Sequence, residues 1–279
     1  MAMHLNTEGC FNVALGYRTM YCNTTGQSNV AIGTNALCQN VTGCSNIAIG
    51  DGAMQVSTAG DRNVAIGSTA LGDANQGSFN VAIGYLNTWK NTTGCFNSSL
   101  GNNALQNNTT GSFNVAIGQS ALLSNTIGAC NIAIGCAALR DTTTGNQNIA
   151  IGYFAARSST TGSNNIAIGN NAAFNQIAVD SNIAIGTASL FCNTTGIQNI
   201  TIGTSAGYNI CNSGNIAIGE GAGQFACNIC CNIFIGYAAG AIGQNNAFNI
   251  AIGYEALDGN YSSNHLALGN YALTNNTTA

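Results

Sequence analysis

The 279-residue chain has no proline, a single lysine (Lys90), four arginines (Arg18, Arg62, Arg140, Arg157) and nine acids. Charged residues make up 5% of it, against about 25% in an ordinary globular chain. So few cations exclude a nucleic-acid groove, which needs clustered Lys and Arg to displace counterions, and a polybasic membrane anchor. No run approaches the roughly 18 apolar residues of a membrane helix, because Asn or Gly interrupts every few positions, so membrane insertion is not expected. Residues 1–10 show no basic stretch followed by an apolar one, the mark of a signal peptide. A net charge of −4 beside 46% hydrophobic content excludes charge-driven disorder. The two histidines, His4 and His265, stand at opposite ends of the sequence, which argues against a His-based triad or a His-rich metal site. The nine acids form no recurrent column, and no close pair of them is specified for glycosidase-type chemistry. Neither an enzyme nor a cofactor site is expected.

What the chain has in abundance is asparagine (43) and glycine (36). They fall in a repeat, Asn-(Val/Ile)-Ala-Ile-Gly, that runs from end to end. With Asn as position 1, copies begin at Asn12, Asn29, Asn46, Asn63, Asn80, Asn97, Asn114, Asn131, Asn148, Asn165, Asn182 and Asn199 at steps of 17, then at Asn215, Asn232, Asn249 and His265, two of those steps being 16. Position 5 is Gly in all sixteen copies, position 4 always Ile or Leu, and position 8 Ala in thirteen. Positions 12–15 often read Asn-Thr-Thr-Gly, as in Asn23 to Gly26. The register continues through 1–11 and to 279, so the sequence reads as one uncapped repeat domain over 1–279.

A constant short period means that each copy covers the same length of path. Helical repeats need about 33 residues or more, and 17 residues rich in Gly, Asn and Thr do not supply two helices. They supply one coil of an all-β, parallel β-solenoid: an extended run, a Gly turn, a second short extended run and an Asn-Thr-Thr-Gly turn, with Gly and Asn at positions of positive φ. The missing proline fits, since proline would break the ladder through the coils. Sixteen coils at about 4.8 Å span about 75–80 Å.

Two columns follow from stacking. The position-1 asparagines either hydrogen-bond amide to amide along the axis, as in cross-β stacks, or simply end a turn before the strand. Positions 2 and 4 face opposite to position 3, and both sets are apolar: position 2 is Val, Ile or Leu in fifteen copies and position 3 Ala in thirteen, with Ser98, Ser99, Thr201 and Phe234 as exceptions. One face fills the coil; the other is expected to meet another chain. The sequence leaves open which is which. Among the twelve cysteines, Cys211 and Cys227 share position 13 of successive coils, about 5 Å apart and within disulfide reach; Cys22 and Cys38 are loosely similar. Free thiols are the alternative. The Cys227-x-x-Cys230 spacing lacks the second pair of a structural zinc site.

The Asn-Ile-Ala-Ile-Gly…Ala-Leu…Asn-Thr-Thr-Gly repeat resembles bacterial and viral tail-fibre-like proteins and is similar to the head repeats of trimeric autotransporter adhesins, which share a Val-Ala-Ile-Gly core. The resemblance implies a left-handed β-roll, three chains side by side, in an extracellular, virion-surface or cell-surface fibre or adhesin that meets a receptor. The 17-residue period is longer than that of the adhesin heads, and their stalk and anchor, like the chaperone domain of the fibre-like proteins, have no counterpart in these residues. The expected function is a structural, self-assembling fibre subunit, joined to itself laterally and head to tail. The alternatives are a fragment of a longer trimeric adhesin and an ice-binding solenoid carrying Thr at positions 13–14, such as Thr24-Thr25 and Thr109-Thr110.

Overall fold

The structure, a computed structural model, describes residues 1–73, 75–226, 229–242, 247–259 and 262–275. The chain is a parallel β-solenoid that divides into two compact units, Met1–Thr144 and Gly145–Ala279. The first carries β1 (Val13–Leu15), β2 (Val30–Ile32), β3 (Ile47–Ile49), β4 (Val64–Ile66), β5 (Val81–Ile83), β6 (Ser98–Leu100), β7 (Val115–Ile117) and β8 (Ile132–Ile134). The second carries β9 (Ile149–Ile151), β10 (Ile166–Ile168), β11 (Ile183–Ile185), β12 (Ile200–Ile202), β13 (Ile216–Ile218), β14 (Ile233–Ile235), β15 (Ile250–Ile252) and β16 (Leu266–Leu268). Within each unit every strand pairs in parallel with its neighbours in sequence, and like positions face like: Ala31 lies opposite Ala48, and Ala167 opposite Ala184. No helix occurs among the described residues. The 16-residue steps leave this register untouched, since Ile200 still pairs with Ile216 and Ile250 with Leu266.

Each strand is only three residues long. The second extended run expected from the sequence is instead a series of tight turns. Ala36 N–H donates to Gly33 O, Cys38 N–H to Asn35 O and Asn40 N–H to Leu37 O, at 3.2–3.4 Å. The third residue of the first two turns, position 7 or 9, has positive φ (Asn35 57°, Leu37 50°), as type II turns require. Non-glycine residues take this left-handed conformation throughout the chain, at positions 7, 9 and 17. Sequence propensity hides this, because Leu and Phe disfavour it by roughly 1–2 kcal/mol. It is held by coil-to-coil backbone bonds on both sides, such as Asn35 N–H to Tyr17 O and Leu37 N–H to Ala53 O, both 2.9 Å.

The two recurrent glycines serve different ends. At position 5 the backbone sits at φ 128° in Gly33 and 139° in Gly16, a region essentially closed to other residues. At position 15 φ is not positive, contrary to the turn reading. There glycine is required by close approach: a Cβ on Gly26 would lie 2.5 Å from Gly43 O and even closer to Asn23 Oδ1.

Position 3 faces inward. Ala31, Ala48, Ala65 and Ala82 are fully buried with Ala36, Ala53 and Ala70 of position 8 and Met20, Leu37, Met54 and Leu71 of position 9. Exceptions to the consensus compensate one another across this core. Phe234 replaces Ala at position 3 where position 9 is glycine: a Cβ on Gly223 would come within 2.9 Å of the Phe234 ring, and one on Gly240 closer still. Ser99 at position 3 meets Thr88 Oγ1 at 2.7 Å and Asn87 Oδ1, and Ser189 Oγ donates to Thr201 Oγ1 at 2.7 Å. Each odd polar group has a partner, as buried polar groups must.

Candidate functional site

With position 3 inside, positions 2 and 4 point outward. Across the chain these two columns contain no charged residue, and Ser98 is their one polar member. Fifteen of the sixteen strands show the same pattern, a buried middle residue between two partly or fully exposed ones, and in β1 the middle Ala14 is half-buried. Val13 is 52% exposed, Leu15 66% and Ile117 39%. In each unit the eight strands therefore present two adjacent aliphatic ridges to solvent.

Aromatic side chains extend this face. At position 17, Phe79, Phe96 and Phe113 stack with centroids 4.9 and 5.1 Å apart and rings within 7° of parallel. At position 6, Tyr237 stacks on Tyr254 at 5.0 Å. A third column, Phe174, Phe191 and Tyr208, stacks at position 10 on the turn side, with the Arg157 guanidinium 5.6 Å from the Phe174 centroid. The hydrogen bond with Glu255 pushes the Tyr254 phenol up to about 12.

The polar side chains that usually face solvent are inside. Asn29 Oδ1 accepts the Asn46 backbone N–H at 2.9 Å and Asn46 Nδ2 at 3.2 Å, while Asn29 Nδ2 donates to Gly43 O at 2.8 Å. The same bonds link Asn12, Asn46, Asn63, Asn80, Asn97, Asn114 and Asn131 in the first unit. In the second they link Asn148, Asn165, Asn182 and Asn199, then Asn215 and Asn232. Asn232 Oδ1 accepts the Asn249 N–H, and Asn249 Oδ1 accepts the His265 N–H.

Position 12 carries a second column that the sequence reading treated only as a turn. Asn23 Nδ2 donates to Asn6 Oδ1, Asn40 to Asn23, Asn108 to Asn91 and Asn125 to Asn108, and Asn91 Nδ2 reaches Asn75 of position 13, all at 2.7–2.8 Å. It breaks where the next residue lacks a reaching amide: before Ser57 and Thr142, the Oδ1 atoms of Asn40 and Asn125 are buried without a partner. A third series at position 16 uses any short acceptor. Cys44 Sγ, Asp61 Oδ1, Ser78 Oγ, Cys95 Sγ and Ser112 Oγ each take a backbone N–H from the preceding coil at 2.7–3.4 Å. This accounts for cysteine at 44 and 95, where its sulfur does the work of a hydroxyl.

The threonines at position 13 are turned onto the backbone. Thr24 Oγ1 donates to Val41 O, Thr92 to Thr109 O and Thr109 to Thr126 O, at 2.8–3.1 Å. Of the expected Cys211–Cys227 bridge, Cys227 lies outside the described residues; Cys211 Sγ is 3.5 Å from Cys192 O. His4 stacks on Tyr21 at 5.1 Å, and His265 Nε2 lies 2.6 Å from Ser262 Oγ. No group of three or more His, Cys, Asp or Glu able to hold a metal is found among the described residues. What the arrangement offers chemically is a regular apolar surface over an interior of hydrogen-bonded amide columns. Compared with models of known protein families and with curated proteins, the chain matches none.

Proposed function

We propose that this protein is a structural subunit of a self-assembling extracellular, virion-surface or cell-surface fibre. The observation that carries the reading is the inverted coil: amides inside, and outside, in each unit, two ridges of Val, Ile and Leu, interrupted only at Ser98 and flanked by aromatic rings. Contiguous exposed apolar surface of this regularity marks an association site. A partner built on the same step matches it ridge for ridge, which favours lateral pairing of copies, arranged as the three-fold bundle of the proteins that the repeat resembles. Head-to-tail addition is the axial counterpart of that pairing, since every coil meets its neighbours through the same parallel, in-register strand contact.

An ice-binding role is disfavoured, because the position-13 hydroxyls are spent on backbone carbonyls. Electron microscopy of the purified full chain tests the proposal. Unbranched fibres are expected, broken up by Val115→Lys with Ile117→Lys; discrete particles of the unmodified chain at every concentration would overturn it.

A further inference from the structure

Cys22 and Cys38 sit on successive coils, at positions 11 and 10, Cys22 half-buried and Cys38 buried. The Cys22 backbone N–H donates to Cys38 O at 2.9 Å. An N–Cα bond of about 1.46 Å and roughly 2.4 Å from a carbonyl oxygen to its own Cα then cap the Cα–Cα separation at about 6.8 Å. Disulfides span Cα separations of about 4.4–6.8 Å. Both thiols are free, and both open into one cavity of about 510 Å³ that Arg18, Asn35, Gln39 and Gln55 also line. The cavity gives the two side chains room to turn toward each other.

We propose that Cys22 and Cys38 are a redox site, closing to an inter-coil disulfide by exchange with a small-molecule disulfide such as oxidised glutathione. Cys22, the more exposed of the two, attacks first as the thiolate. Its sulfur bonds to one sulfur of the small disulfide, whose S–S bond breaks and releases one thiolate. Cys38 then loses its proton and attacks Cys22 Sγ, expelling the second small thiol. Two electrons pass from the protein sulfurs to the small disulfide, and atoms balance. Burial raises the Cys38 thiol above its ordinary value while Arg18 draws it back part-way, which suits the second, intramolecular step better than the first.

The bridge ties the coil of β1 to the coil of β2. Oxidation therefore cross-links two successive coils and suppresses their local opening, and the chemistry stands independently of the fibre reading.

The test is differential alkylation of the full chain after equilibration with oxidised and reduced glutathione. The tryptic fragment between Arg18 and Arg62 holds Cys22, Cys38 and Cys44. It is expected about 2 Da lighter, with a Cys22–Cys38 link and alkyl only on Cys44. Amide exchange at Met20, bonded to Ala36 O at 3.0 Å, should slow by about 10-fold or more on oxidation and not at all in Cys22→Ser. Alkylation of both Cys22 and Cys38 under conditions that convert exposed Cys10 to a mixed disulfide would overturn the proposal, as would a Cys22–Cys44 link or exchange that slows equally in Cys22→Ser.

Discussion

Replacing Asn114 by alanine probes the internal amide column where it is complete. The Asn114 carboxamide donates to Asn97 Oδ1 at 3.2 Å and to Gly128 O at 2.8 Å, and accepts the Asn131 N–H at 3.0 Å and Asn131 Nδ2 at 3.2 Å. Two groups keep a partner after truncation. Gly128 O still receives Asn125 Nδ2, and Asn97 Oδ1 still receives the Asn114 backbone N–H. The Asn131 backbone N–H loses its acceptor, in a place where Asn114 and Asn131 are both fully buried. A buried orphan costs about 1–3 kcal/mol, and the remaining lost bonds contribute about 0.5–1.5 kcal/mol each. With three such bonds beside the orphan, the sum is a local loss of about 2.5–7.5 kcal/mol. Because long repeat arrays need not unfold in one step, the loss is best read by native-state hydrogen exchange of Val115 to Ile117 and Ile132 to Ile134. Asn107→Ala, at a half-exposed site on the preceding coil, is the control, expected within about 0.5 kcal/mol of wild type. A loss for Asn114→Ala no larger than the control would refute the view that the amide column holds successive coils together.

Phe234→Ala should cost about 3–5 kcal/mol as a buried cavity, and Gly240→Leu alone should also destabilise. Combined, they should recover part of the loss, with a coupling above 1 kcal/mol in a denaturation cycle; additive losses would contradict the reciprocal filling of positions 3 and 9. Ala188 holds φ 53° where Gly52 and Gly221 occupy the same position in other coils, so Ala188→Gly should stabilise by about 0.5–1 kcal/mol in thermal unfolding. Tyr254 should ionise near pH 12 in a 295 nm titration, and Glu255→Gln should bring it back toward 10.

The solenoid, its period and its strands were legible because one motif recurs in register from Asn12 to His265. The orientation of the strand was not, since position 3 and positions 2 and 4 are all apolar and alternation alone does not rank Ala against Ile. Side-chain size carries the answer: Ala fits a thin core already half filled by asparagine, and Ile does not. The position-12 column was obscured for a related reason. A position-1 amide must reach a backbone N–H as well as its neighbour, so only Asn serves, and the pattern is near-uniform. A position-12 oxygen usually receives only the next side chain, so Ser57, Thr142, Ser159 and Gln176 occur there and blur the signal. The left-handed turns at positions 7 and 9 leave little trace, because backbone bonds between coils impose them on Leu, Met and Ala alike.

The claim that the outward ridges bind other copies of the chain is tested most directly by its mass in solution. Light scattering on the full 28.3 kDa chain should return a multiple of that mass over the accessible concentration range. The variant with Val115→Lys, Ile117→Lys and Ile134→Lys should return the monomer with its β-sheet circular dichroism unchanged. A monodisperse monomer for the unmodified chain, or an assembly that survives three lysines on the ridges, would contradict the account.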